Sequence, residues 1–372
     1  MSKLEFGLWD SIGGYSEEYD GQTADIYDEH IRLAQRIEEF GWHSYFIIEH
    51  QNGDISRITA PSVYLTAVAR ETSRLRIGAM MYQLPLHHPI RLAQEVAMLD
   101  QLSRGRVEFG TGIGVREHEF MRWNINFNER AAMAEEVIKI VKMAWTQDEV
   151  TFEGKYWHFD EALPQPKPYQ KPYPPIWAAV HSDASCEFAA RNNYNVSQNL
   201  DTDEVVKRKF DVYRRVWAEC GHPGPMPRTF LHRPVHVAET DEKAHEEARP
   251  YVASRAGIPD AGPTNMRLTG RLVGSRIGLG THARGMGSDS ERPDNKERGL
   301  AMDRATRDYD FSLDNGLAIV GSPETVIRRI QEQRAFVGYD ILCTAHGIGR
   351  MPEPLVANSI ELFGKEVIPA FR

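Results

Sequence analysis

Glu49 and His50 stand side by side at the end of the run Trp42-His43-Ser44-Tyr45-Phe46-Ile47-Ile48-Glu49-His50. An imidazole takes up and releases protons near neutral pH, and a neighbouring carboxylate can orient it or share its proton. The residues before the pair are mostly apolar or aromatic. Such a strand is buried on both faces, as in a parallel sheet, so a charged pair at its far end sits where the strand leaves the core. In α/β folds that end is where ligands bind. The competing reading of His50 is a core histidine with no chemical task.

Two further segments could carry chemistry. In Gly110-Thr111-Gly112-Ile113-Gly114 the glycines would let the backbone approach a ligand closely, with N–H groups free to donate. The dinucleotide fingerprint does not fit, because the next helix is expected well beyond Glu117 and no acidic residue ends a following strand. His181-Ser182-Asp183-Ala184-Ser185 lies between a strand and a helix start. Free N–H groups and the helix dipole make such a turn an anion site. Equally, Ser182 or Asp183 merely caps the helix. His87-His88 precedes Pro89 in a loop and reads as a capping turn or as part of a site. No His/Asp/Glu set at the strand ends has the look of a metal centre, and neither HEXXH nor GXSXG occurs. Cys186, Cys220 and Cys343 are far apart and read as reduced thiols.

Strand and helix patterns alternate along nearly the whole chain. Strands are expected at 4–9, 42–50, 75–82, 106–110, 176–180, 195–200, 229–238 and 339–344. Between the first two, Ile26, His30, Leu33, Ile37 and Phe40 share one helical face, and Gly41 ends the helix. Later helices are expected at 61–72, 90–104, 130–145, 183–191, 203–220, 241–256 and 323–336, with a closing one near the C-terminus. Eight such units predict an α/β fold: a closed (β/α)8 TIM barrel with insertions, forming one domain over 1–372. The aromatic- and proline-rich stretch 147–174 reads as a surface excursion with a small hairpin. The polar, aperiodic stretch 257–298 reads as a long mobile lid loop after strand 7. A barrel gathers its strand ends on one face. Those ends are Trp9 and Asp10, Glu49 and His50, Met80 to Gln83, Gly110 to Gly114, His181 and Ser182, Asn199, His232 to His236, and His346.

Composition narrows the function. A formal net charge of −9 over 372 residues argues against nucleic-acid binding. No apolar run is long enough for a membrane helix, and MSKLEFGLWD begins a strand rather than a signal peptide. Together with the reduced thiols this points to the cytoplasm.

FGLW, IIEH, RIGAMMYQLPLHHPIRLAQEVAMLDQLSRGRVEFGTGIG, EFMRWNI and ERAAMAEEVIKIVKMAW follow one another along the chain. FEGKYWHF, PQPKPYQKPYPPIWAA, SDASCEFAAR, GSPETVIRRI and ELFGKEVIP complete the series. In this ordered set the chain resembles the bacterial luciferase-like family of flavin monooxygenases, whose fold is a (β/α)8 barrel with extra segments. The resemblance implies that His50, with Glu49 beside it, serves the flavin–oxygen chemistry and the substrate side. It implies a non-proline cis peptide at Met80-Met81 against the flavin ring, a flavin wall at Gly112 and Gly114, and a phosphate-binding turn at His181, Ser182 and Ser185. It further implies a two-component (group C) system. Reduced FMN would arrive as a dissociable cosubstrate from a separate flavin reductase. O2 would then insert one oxygen atom into a small organic substrate, such as a carbonyl compound or terpenoid, through a flavin hydroperoxide. A homodimer is also implied. Deazaflavin-dependent hydride transfer on the same barrel stays an alternative, as does a non-enzymatic flavin-binding subunit. The chain departs from the family at Gln51, where a second histidine is common. It departs at Ile113, where luciferase has a phosphate-binding arginine that Arg116 would replace, and at His181, where luciferase has Glu. These changes bear on the aldehyde-oxidising, light-emitting reaction and leave the flavin site as a whole untouched.

Overall fold

The computed structural model describes residues 3–12, 23–51, 56–254, 267–268, 271–272 and 293–372. The expected lid stretch 257–298 therefore lies largely outside the described residues. Its last part does not: residues Pro293–Ala305 form a helix.

The alternation seen in the sequence closes into a parallel barrel. Its strands are β1 (Glu5–Asp10), β2 (Ser44–Ile47), β3 (Arg76–Ala79) with its continuation β4 (Tyr82–Gln83), and β5 (Phe109–Gly112). After the excursion hairpin β6 (Val150–Glu153) and β7 (His158–Ala162) come β8 (Ile176–Ala179), β9 (Asn195–Gln198) and β10 (Thr229–Val237); a final barrel strand spans Ile341–Ala345. The sheet runs β3-β2-β1, then the final strand, then β10-β9-β8-β5-β4. The third strand was expected unbroken over 75–82. It is interrupted at Met80-Met81, whose peptide is cis as the resemblance implied. Its first half pairs with β2 and its second with β5. A bridge between Ile77 and Val107 joins the two open edges and closes the ring.

Register decides which side chains fill the barrel. Trp9 is level with Phe46, Phe46 with Gly78, Gly110 with Trp177, and Phe230 with both Ser197 and Ile341. Side chains alternate between faces, so these residues and their i±2 neighbours point inward. Phe46, Met80, Trp177, Phe230, Ile341 and Cys343 form a buried interior cluster, with Trp9 and Met81 packed on it. Below them the Trp177 indole N–H donates to Glu108 Oε2 at 2.6 Å, and Arg76 pairs with the same carboxylate. The opposite strand faces meet the helix layer in a second apolar cluster that includes residues from Leu4 to Ile368.

Helices α1 (Thr23–Phe40), α2 (Pro61–Glu71), α3 (Pro89–Ser103), α4 (Glu117–Arg122) and α5 (Arg130–Thr146) serve the first half. Contrary to the sequence reading, a helix does begin at Glu117: α4 is a short turn-and-a-half that periodicity does not reveal. Helices α6 (Asp183–Arg191), α7 (Asp203–Cys220) and α8 (Asp241–Val252) follow. The stretch Pro323–Val337 is helical, opening on Ser322, whose hydroxyl accepts from the Thr325 amide. Besides α4 and helix Pro293–Ala305, helix Tyr309–Asp314 and strand Ile319–Gly321, which pairs with the upper part of β10, were not anticipated.

The excursion does form a small hairpin, and it is anchored firmly. Glu136 on α5 accepts the amides of Lys155, Tyr156 and Trp157 at 2.7, 3.0 and 3.2 Å. Lys167 donates to the carbonyls of Ala144, Gln147 and Pro164. Another tie lies under β9, where buried Lys209 of α7 meets Asp201 at 2.7 Å and Gln198 donates to the same carboxylate.

Candidate active site

All strand ends of a parallel barrel open on one face, and the inward register can be followed up to it. Phe46 points in and Ile47 out, so Ile48 and His50 belong to the mouth while Glu49 turns toward the helices. The contacts agree. Glu49 is buried and both its oxygens are occupied. It accepts from Gln51 Nε2 at 2.7 Å, the Gln83 amide at 2.8 Å and His87 Nε2 at 3.0 Å. His87 is held above the usual histidine range: burial works against its charge, but the Glu49 carboxylate outweighs it. Asp10 is likewise turned outward and bound, by Tyr45 at 2.6 Å and His30 at 2.7 Å.

His50 Nδ1 lies 2.9 Å from Glu119 Oε1, and Glu119 is fully buried. Burial opposes ionisation of Glu119. The hydrogen bond and charge of His50, the hydrogen bond from Gln83 and the charge of Arg116 more than offset it, holding the carboxyl below its ordinary range. An ionised carboxylate only accepts, so Nδ1 carries a proton and donates. Neutral His50 therefore keeps its lone pair on Nε2, which has no partner among the described residues. Gln83 ties the arrangement together, with its amide nitrogen donating to Glu119 at 2.8 Å and to the Glu49 carbonyl at 3.1 Å.

Beside the histidine, the backbone is stripped of side chains. A Cβ on Gly110 would collide with the Ala79 carbonyl and come within 2.7 and 2.8 Å of the Met80 and Met81 sulfurs. One on Gly112 would press the Met81 Cβ at 3.2 Å. Gly112 and the methionines thus form an apolar wall. Gly114 is different. Its φ of +76° and the nearness of Phe120 and Gln83 to any Cβ there show that it makes room for α4, the helix that delivers Glu119.

At the fifth barrel strand end, the capping reading of the serine turn holds. Ser182 and Ser185 form a reciprocal capping box at the α6 N-terminus. The amides of His181 and Ser182 donate to Ser185 Oγ, each at 3.0 Å. The amides of Asp183 and Ala184 keep no acceptor among the described residues, so the dipole end retains free donors. Of the remaining strand-end histidines, His236 is bound to Glu247 and His346 to Ser359, both away from the mouth. His232 points inward beside Trp9, at a ring separation of 4.6 Å. His88 caps α3, as one of its two readings held.

Sequence reasoning missed Glu119, the tie that Gln83 makes between Glu119 and Glu49, and the inward position of His232. A helix of six residues carries no periodic signal, and a pairing 69 residues apart is visible only once the barrel closes. Among the described residues no cluster of three or more His, Cys, Asp or Glu side chains is placed to hold a metal, and no helix is long and apolar enough to cross a membrane. A cleft of about 440 Å³ lies elsewhere, outside the barrel by the starts of α7 and α8. Two of its carboxylates are already engaged, Asp203 by Arg233 and Gln333, and Asp241 by Ser322 and Thr325. The chemistry belongs at the mouth.

A parallel barrel with an imidazole and a methionine–glycine wall at its C-terminal mouth defines an α/β-barrel protein. The chain belongs to the luciferase-like monooxygenase family, whose model matches residues 4–340. It is 31% identical over 244 residues to the oxygenase component of the flavin-dependent trigonelline monooxygenase of Acinetobacter baylyi, covering 62% of this chain and 64% of that one. It spans less than two thirds of the first curated relatives it matches, 61% and 64% of their lengths. Among solved structures it superposes on the oxygenating constituent of 3,6-diketocamphane monooxygenase from Pseudomonas putida, a type II Baeyer–Villiger enzyme in complex with FMN. The TM-score is 0.75 at 25% identity, over 99% and 98% of the two chains. An F420-dependent secondary alcohol dehydrogenase shares the fold, with a TM-score of 0.71 at 20% identity over all of both chains.

Proposed function

We propose that this chain is the oxygenase of a two-component flavin monooxygenase that inserts one oxygen atom into a small organic substrate. The observation that carries the reading is the pairing of an oriented imidazole with the methionine–glycine wall across one barrel mouth. The fit to FMN rests on that wall, where Gly110 lets the two methionine sulfurs pack directly on the strand, and on the amides of Asp183 and Ala184 at the α6 N-terminus. Reduced FMN and O2 would together supply the oxygen atom.

The chain's own residues do the rest. Met80, Met81, Gly112 and Gly114 line or support the ring's face, and His181, Ser182 and Ser185 shape the turn that receives the phosphate. Trp9, Phe46 and the methionines exclude water. His50 moves a proton at Nε2, and Glu119 holds its tautomer and stabilises the charged form. Glu49 acts as a positioning residue through Gln83 and His87. The reductant comes from a separate flavin reductase, with O2 and the substrate as the other small-molecule partners. A cytoplasmic homodimer completes the proposal.

Anaerobic titration with reduced FMN and with reduced deazaflavin tests the cofactor. Preference for reduced FMN, followed on admission of O2 by a product heavier by one oxygen atom, is the expected result. Tighter binding of the deazaflavin with hydride transfer and no oxygen uptake would overturn it.

A further inference from the structure

We propose that His232 and Asn199 form a hydrogen-bonding subsite for a neutral carbonyl or hydroxyl group of the organic substrate, across the mouth from the methionine–glycine wall. This rests on the monooxygenase reading of the same mouth.

His232 is 8% exposed, and neither ring nitrogen has a hydrogen-bond partner among the described residues. Asn199 Oδ1 is buried and unpartnered as well. Phe230 pairs with Ser197 and Leu231 with Gln198, the last pair of that ladder. Continuing the register by one step would set His232 beside Asn199, at the roughly 5 Å spacing of adjacent strands. Both share the inward face of Phe230. Buried polar groups are nearly always paired, and two orphans side by side on one wall of a ligand mouth mark a place where a ligand completes the bonds.

The strand order fixes the opposition. β10 lies across the ring from β3 and β4, which carry Met80 and Met81. A flat cofactor on that wall leaves the His232 side to the substrate. Trp9, packed 4.6 Å from the His232 ring, offers an apolar plate for the substrate's body.

The chemistry selects a neutral partner. Burial, aided by the Arg233 charge, pushes the His232 pKa down to about 3, so the ring offers one N–H donor and one lone pair without charge. Arg233 itself turns the other way, to Asp203 and the Asp201 carbonyl. The Arg233 charge is taken up by Asp203, so a carboxylate finds no direct cationic partner at the subsite, whereas a ketone or alcohol matches the neutral ring.

The test is ligand-observed NMR titration of the full chain with cyclohexanone, cyclohexanol, cyclohexanecarboxylate and methylcyclohexane. Wild type should bind the ketone and the alcohol about fivefold to tenfold more tightly than the hydrocarbon, as expected for one or two neutral hydrogen bonds. H232F should abolish that ratio, H232Q should restore part of it, and N199L should reduce it. Wild type favouring the carboxylate, binding none of the oxygenated probes, or an H232F ratio equal to wild type would overturn the proposal. Reduced FMN is titrated separately. An unchanged dissociation constant in H232F supports a substrate role, whereas its loss in H232F would reassign the pair to the flavin and overturn the proposal. If wild type binds no flavin, the cofactor reading fails while the ketone-to-hydrocarbon ratio still judges the subsite.

Discussion

At the residue scale the mouth is a chain of hydrogen bonds, His50–Glu119–Gln83–Glu49–His87, with one free end at His50 Nε2. If His50 moves the proton, H50A should lower turnover by about 10²–10⁴-fold while reduced-FMN affinity stays nearly unchanged. E119Q should lower turnover less. A glutamine can present its carbonyl to Nδ1–H but cannot stabilise the imidazolium, so the pH profile of turnover should shift. Steady-state kinetics with a flavin reductase, beside anaerobic flavin titration, checks both, and unaltered oxygenation by H50A would remove His50 from the mechanism. The wall gives a second expectation. G110A forces a methyl group against the Ala79 carbonyl and two methionine sulfurs, and should destabilise the protein by about 1–3 kcal/mol and weaken flavin binding, measured by denaturant titration and fluorescence. The sequence disclosed Glu49 and His50 because an apolar strand ending in charge is conspicuous. It could not disclose Glu119, whose role depends on Gly114 bending the chain back so that α4 reaches the second strand's end. Nor could it divide His87 from His88, adjacent residues of the same type whose side chains find partners as different as Glu49 and the Arg91 amide.

At the element scale, polar ties fix the strands at their lower ends and outer sides. Glu5 on β1 bonds His43 before β2 and Arg228 before β10. Burial alone would raise its pKa, but these partners bring it from 4.5 to about 2. A carboxyl depressed in the folded state contributes stability above its unfolded pKa and loses it as pH falls toward the folded value. The stability gap between wild type and E5Q should therefore be full at about pH 6 and narrow progressively below 4.5. Urea midpoints across pH check this, and a gap that stays constant down to about pH 3 would assign the effect to packing. Lys209 and Asp201 make a pair enclosed on all sides. Removing one partner leaves a buried charge, so K209M should cost about 3–5 kcal/mol by denaturant titration. Strand and helix positions were largely readable, since most depend on local periodicity. The break in the third strand was not, because it answers to pairing with two different neighbours. Helix Pro293–Ala305 escaped notice because its apolar residues do not gather on one face.

At the scale of the whole molecule, the helix-facing apolar cluster draws residues from near both ends of the chain, from Leu4 to Ile368. A chain with such a shared core should unfold in a single step, with tryptophan fluorescence and far-ultraviolet circular dichroism giving the same midpoint. Two separated transitions would show that the halves fold on their own. The eightfold repeat made the barrel readable from sequence, since eight strand–helix units have few ways to bury every apolar face. Strand Ile319–Gly321 was lost in that count because it pairs only with the upper end of β10, outside the repeat. One local connection reaches further than its size suggests. His87 grips the Glu49 carboxylate while His88, the next residue, meets Trp157 and Phe159 of the excursion edge-on. The hairpin is thus coupled to the reacting end of the second strand through two adjacent imidazoles. Grafting a hairpin of different shape from a paralogue would re-aim that strand end, giving evolution a handle on selectivity that leaves the barrel itself untouched.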